Sequence, residues 1–120
     1  MNQYQKGKSA ELVAAAYLRD LGYRIWKTNW RSGKKELDLV AVHRGELVIV
    51  EVKSMFENEV NHPWEVVRWR KQRNIILAAD AFIRYHNSER PTRFDVIAVI
   101  YGSHGIRIEH TENAFFPGVE

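Results

Sequence analysis

Glu36-Leu-Asp-Leu-Val-Ala-Val-His-Arg-Gly-Glu-Leu-Val-Ile-Val-Glu-Val-Lys53 decides the fold, because two apolar, β-branched runs are separated only by His43-Arg44-Gly45-Glu46. Glu36 to Val42 and Leu47 to Lys53 read as strands, and the gap between them suits a hairpin. With Arg44-Gly45 as the two-residue turn, glycine supplies the positive φ that such turns demand and His43 faces Glu46. Counting back along both strands then sets Asp38 opposite Glu51 and Glu36 opposite Lys53, all on one face because side chains alternate with period two. The frame matters: a longer loop would shift the ladder, and a slip of one residue would send Asp38 to the other face.

Directly opposed side chains have Cβ atoms about 5 Å apart, and like charges placed there repel. Lys53 alone could balance the acids on a solvated face. Against that, Leu47-Val-Ile-Val-Glu-Val-Lys53 is apolar on both faces until its last three residues, so Glu51 sits at the end of a central strand. A charge there needs a partner of comparable strength. A hard divalent cation held by oxygen ligands from Asp38 and Glu51 provides one, and it keeps waters for a reaction.

An acid in a helix, then Asp, then Glu-x-Lys at strand ends resembles the restriction-endonuclease-like, PD-(D/E)XK superfamily. The closer resemblance is to the bacterial YraN or UPF0102 family, which looks like the archaeal Holliday-junction resolvases. It covers nearly the whole chain, through Gly7-Lys-Ser-Ala-Glu11, Ala16-Tyr-Leu18, Leu21-Gly-Tyr23, Asn29, Glu36-Leu-Asp-Leu39, Val50-Glu-Val-Lys53, Lys71-Gln72, Arg93-Phe-Asp-Val96 and Ala114-Phe115. Glu-x-Lys alone is common by chance; the set is specific. There are two departures. Lys35 stands where the family usually has glycine, and Ser54-Met55 follows Glu-x-Lys where a basic residue is common, so contacts to a scissile strand are expected to differ.

Length and composition suit one domain spanning residues 1–120, with 45% hydrophobic residues, 12% aromatics and no low-complexity run. The absence of cysteine excludes disulfides and thiolate metal sites. The amino terminus lacks the apolar core of a signal peptide, and no apolar stretch approaches the roughly 20 residues of a membrane helix, so a cytoplasmic location without membrane contact is expected. A formal charge of +3 favours polyanions only weakly. Arg68, Arg70, Lys71 and Arg73 form a dense basic cluster, and Arg19, Arg24, Lys27, Arg31, Lys34 and Lys35 a looser one. Each is a candidate for phosphate contacts, beside the plainer reading of a solvated face.

Around the hairpin, residues from about Gln3 to Leu21 read as a helix capped by Asn2 or Ser9 and stopped by Gly22. Ala14, Leu18 and Leu21 form its inward stripe, and Glu11 projects from that stripe. Were the helix to start near Ser9, Glu11 would be a first-turn acid favoured by the helix dipole; the resemblance instead implies an acid that approaches the metal. Tyr23 to Trp30 reads as a first strand and Met55 to Pro63 as a loop beside the acids, able to act as a flap over substrate. Pro63 suits the first turn of a second helix, Trp64 to about His86, with Gln72, Ile76, Ala79 and Ile83 as its buried stripe. At the end of that stripe Gln72 could simply bond a backbone carbonyl; the resemblance implies that it orients water or phosphate. Phe94 to Tyr101 reads as a central strand, and a shorter edge strand containing Ile106 and Ile108 follows a Gly102-Ser-His-Gly105 turn. Arg93 and Asp95 read as a structural ion pair.

The expected fold is therefore α/β, a mixed sheet with helices on both faces in the order αβββαββ, restriction-endonuclease-like. The expected function is a Mg²⁺- or Mn²⁺-dependent endonuclease on DNA, in particular branched or otherwise structured DNA in repair or recombination. Asp38, Glu51 and the Val52 carbonyl would hold the metal, with Glu11, Lys53 and Gln72 completing the catalytic set and Arg68, Arg70, Lys71 and Arg73 binding nucleic acid. The rivals are a DNA-binding scaffold that keeps the fold and does not cut, and an enzyme that cleaves RNA instead of DNA. Junction cutting would need two active sites, and hence a homodimer.

Overall fold

The computed structural model describes residues 2–59 and 68–117. Helix α1 spans Gln3–Asp20 and is followed by strands β1 (Arg24–Ser32), β2 (Lys35–His43) and β3 (Glu46–Phe56). A single 3-10 turn, Glu57–Glu59, comes next. Helix α2 (Trp69–His86) then leads to β4 (Thr92–Gly102) and β5 (Gly105–Phe115). The fold is thus α/β, with two α-helices and one five-stranded sheet, ordered β1-β2-β3-β4-β5, among the described residues. Only β3 and β4 run parallel; the other neighbours are antiparallel.

Local chemistry explains the element ends. Asn2 opens α1 with a reciprocal cap, its Oδ1 accepting from Gln5 N (2.8 Å) while its own N–H donates to Gln5 Oε1 (3.0 Å). The helix therefore begins well before Ser9, and Glu11 lies in its third turn rather than its first. Gly22, at φ 92°, ends the helix by sending its N–H to Arg19 O while Tyr23 N–H reaches Leu18 O. The β2–β3 turn has Arg44 at φ 51° and Gly45 at φ 81°, both left-handed as a tight hairpin requires.

The two helices pack on opposite faces. Ala10, Ala14, Ala15 and Leu18 of α1 cluster with Leu39, Ala41, Val48, Val50, Ile97 and Val99. Ile75, Ala78, Ala79 and Phe82 of α2 cluster with Leu37, Val40, Leu47, Ile49, Phe94 and Val96. Two stripes differ from the sequence reading. On α1, Leu21 is the exposed C-terminal cap, and the buried line runs Lys6, Ala10, Ala14, Leu18. On α2 the line is Ile75, Ala79, Phe82, rotated by about one position from Gln72, Ile76, Ala79, Ile83, because the Phe82 ring fills the space under Trp26 and Trp30 at centroid distances of 5.0 and 5.1 Å. The β3 strand also runs three residues past Lys53, so Met55 and Phe56 are strand rather than loop. Residues 60–67 lie outside the described residues, including the last four residues of the expected flap and the expected start of the second helix at Trp64.

A buried polar network ties the sheet to α1. Asp95, with no exposed surface, accepts from Arg93 Nε and Nη2, both at 2.9 Å. It also faces His110 Nε2 at 2.7 Å and accepts the Asn113 N–H at 3.1 Å. Arg93 donates to the Tyr23 hydroxyl at 2.6 Å, and His110 Nδ1 meets the Tyr17 hydroxyl at 3.1 Å. Burial alone would raise the Asp95 carboxyl, but the hydrogen bonds from His110, Arg93 and Asn113 hold it below its ordinary range. The Arg93–Asp95 pair read from the sequence is thus the centre of a larger assembly.

Candidate functional site

The site begins where β2 leaves its regular pleat. The β2–β3 ladder follows the register set by the Arg44-Gly45 turn from His43–Glu46 to Leu39–Val50 and stops there. Instead of a further backbone pair, the Asp38 carboxylate accepts the Val52 N–H at 2.9 Å. On the other side, β1 pairs Thr28 with Leu39 and Trp30 with Leu37, and between them Asn29 is left-handed at φ 51°. Leu37 packs with α2 whereas Leu39 packs with α1, so side-chain alternation breaks at Asp38. The expected facing of Glu36 with Lys53 is not formed: Glu36 pairs with Arg31 of β1, which it also meets in an ion pair of 3.1 Å.

The break opens a cavity of about 480 Å³ lined by Glu11, Asp38, Glu51, Val52, Lys53, Arg68 and Lys71, with Gly7, Ala10 and Ser54. Three elements supply its charged groups. From α1, Glu11 is half-buried, and its Oε1 accepts from the Asn29 side-chain amide at 3.3 Å. From the hairpin come Asp38, the buried Glu51 and the half-buried Lys53. From the start of α2 come Arg68 and Lys71, spaced to share a helix face. Lys71 Nζ lies 3.4 Å from Glu51 Oε2.

Of the expected residues, Glu11, Asp38, Glu51, Val52, Lys53, Arg68 and Lys71 meet at the cavity. Arg70 and Arg73 are exposed and do not line it, and the Arg73 guanidinium sits 5.9 Å from the centre of the Trp69 ring. Gln72 is half-buried and does not line it either. The rotated stripe of α2 explains this: Arg68 and Lys71 continue the line of Ile75, Ala79 and Phe82, and Gln72 lies beside it. Asn29 is the participant whose role the residues alone concealed. Its available signal was asparagine within a strand, a residue that tolerates left-handed backbone.

Electrostatics make the acid pair demanding. Burial first, and then the neighbouring Asp38 carboxyl, push the Glu51 carboxyl up to about 8, while Lys71 pulls the other way. Two carboxyls in this relation need a proton or a cation between them. Among the described residues no three His, Cys, Asp or Glu side chains gather closely enough to hold a metal ion, so Glu11 shares the cavity without completing a three-acid ligand set. A two-carboxylate seat suits Mg²⁺ or Mn²⁺, since Mg²⁺ is usually bound through one or two carboxylates and retains several waters.

The sign of the Glu51 shift gives a prediction for the protein in chelator. The folded state holds a proton on Glu51 up to about pH 8, whereas an unfolded glutamate releases it near 4.5. Stability is therefore expected to fall as pH rises from about 5 through 8. Glu51→Gln should flatten that decline and unfold at higher temperature than the native sequence near pH 9. Thermal unfolding across the range reads both effects, and an unchanged slope in the variant would assign the decline to other groups.

A family model described as "Uncharacterised protein family UPF0102" matches residues 10–99. The chain is 43% identical over 113 residues to a UPF0102 protein of Phocaeicola vulgatus, covering 94% of this chain and 93% of that protein. A UPF0102 protein of Porphyromonas gingivalis is 45% identical over 112 residues, with 92% and 83% covered. One from Chlorobium chlorochromatii is 39% identical over 116 residues, with 92% and 90% covered. No helix among the described residues is long and apolar enough to cross a membrane.

Proposed function

The chain belongs to the UPF0102 family, and from that premise and the cavity at Asp38 we propose that it is a metal-dependent endonuclease hydrolysing phosphodiester bonds in DNA. The family description names no reaction, so the reading rests on the site. The observation that carries it is the convergence of a coupled, buried acid pair with Lys53, Arg68 and Lys71 in one open cavity. The element order and mixed sheet are consistent with a restriction-endonuclease-like fold.

Asp38, Glu51 and the Val52 carbonyl would hold Mg²⁺ or Mn²⁺, which supplies a polarised phosphoryl oxygen and a more acidic water. The Asp38 carboxylate is positioned for this by the Val52 N–H, which holds its Oδ2 at 2.9 Å. Lys53, on the same strand as Glu51, orients the attacking water and neutralises charge as the phosphorus gains its fifth oxygen. Asn29 holds Glu11 at the cavity wall, where it would act on the metal directly or through a water. Arg68 and Lys71 grip phosphate oxygens, and Arg70, Arg73 and their helix surface extend the contact along the backbone.

Branched DNA in repair or recombination is the proposed substrate class, and two-sided cutting of a junction would require a homodimer. Purified protein incubated with labelled duplex, single-stranded, flap and four-way-junction DNA tests the proposal, with matched RNA as competitor. Cutting in Mg²⁺ or Mn²⁺ that stops in chelator is expected. Firm DNA binding with no cutting on any structure would instead favour a non-catalytic DNA module.

A further inference from the structure

Two adjoining hollows lie at the opposite end of the sheet from the acid pair, beside the Arg44-Gly45 turn. The smaller, about 280 Å³, is lined by Arg24, Trp26 and Arg90 with Ile25 and Val42. The larger, about 560 Å³, shares Trp26 and Arg90 and reaches Gly45 and the link between α2 and β4. Gly45 precedes Glu51 by six residues along β3, which places this corner about 20 Å from the acids at roughly 3.3 Å per residue.

Trp26 occupies the irregularity in the β1–β2 pairing, between Ile25–Ala41 and Lys27–Val40. Such a bulge re-aims a side chain. The indole is held edge-on by Phe82 (5.0 Å, 84°) and His86 (4.9 Å, 63°) and remains 39% exposed. Arg24 and Arg90 are exposed and form no ion pair with another described residue. Glu89 lines only the larger hollow, so among the described residues the smaller one combines arginine charge and an aromatic ring without an acid. A hollow lined by an aromatic ring and two arginines suits a base bearing a phosphate.

We propose that this corner is a second nucleic-acid subsite that takes an unpaired nucleotide, its base against Trp26 and its phosphate between Arg24 and Arg90. The inference deepens the endonuclease reading and rests on its claim that the chain binds DNA. It makes the favoured substrate a duplex with a single-stranded arm, the duplex at the acids and the arm at the far end of the sheet.

Fluorescence anisotropy in chelator tests it, with a blunt duplex and the same duplex carrying an oligo-dT tail. The native protein should bind the tailed DNA at least about tenfold more tightly. Trp26→Ala should remove roughly 5- to 100-fold of that preference, as loss of one base stack does, and leave blunt-duplex affinity unchanged. Because Trp26 also packs on Phe82, the exposed pair Arg24→Glu/Arg90→Glu serves as a second variant and should abolish the preference in a folded protein. Thymidine monophosphate should compete only weakly; competition as strong as that of tailed DNA would assign the hollow to a free nucleotide and overturn the proposal. Equal binding of tailed and blunt DNA by the native protein would overturn this inference alone. Binding of neither would overturn the endonuclease reading with it.

Discussion

Replacing Asp95 by alanine is expected to destabilise the fold by about 3–5 kcal/mol, the usual effect of stripping one partner from a buried, hydrogen-bonded ion pair. The loss would take from the Arg93 guanidinium the buried carboxylate to which its Nε and Nη2 both donate at 2.9 Å, leaving it Tyr23 and the more exposed Glu46 and Glu112. It would also take away the partner of His110 Nε2 and of the Asn113 N–H, which both meet the same carboxylate. A domain of this size has only about 5–15 kcal/mol in total, so much of its stability is at stake. Urea unfolding measures the change. Arg93→Met/Asp95→Leu should be milder than Asp95→Ala, because neither buried charge is then left alone. A loss below about 1 kcal/mol for Asp95→Ala would show that water or a rearranged Glu112, now 3.2 Å from Arg93 Nη1, takes over.

Asp38→Asn and Glu51→Gln are each expected to lower cleavage by two to three orders of magnitude or more, since a catalytic metal contributes several kcal/mol of transition-state stabilisation. Both should fold. The asparagine oxygen can still accept the Val52 N–H, and the glutamine removes the carboxyl that burial and Asp38 push up to about 8. Cleavage undiminished in either variant would remove these acids from the site.

The hairpin was legible in the sequence because one glycine and alternating apolar residues set its register from His43–Glu46 to Leu39–Val50. The same logic failed one pair further on. Ladder continuity depends on the neighbouring strand, and the left-handed Asn29 with the break at Asp38 is a tertiary event that no pattern within β2 announces. On α2, apolar residues at 75, 76, 78, 79, 82 and 83 admit either of two adjacent stripes. Packing of Phe82 under Trp26 and Trp30 decides between them, and that choice turns Lys71 rather than Gln72 into the cavity. Arg93 and Asp95 are two residues apart and were readable as a pair. Tyr17, Tyr23 and His110 reach it from α1, the turn that follows it and β5, a meeting set by topology alone.

Calorimetric titration of Mn²⁺ into the native protein and into Asp38→Asn, near pH 8, tests the central claim most directly, because it asks for the metal seat without requiring a substrate. One saturable site in the native protein that disappears in the variant is the predicted result. Equal binding in both, or none in the native protein while DNA is still bound, would contradict the metal seat and leave the cavity as a phosphate-binding surface.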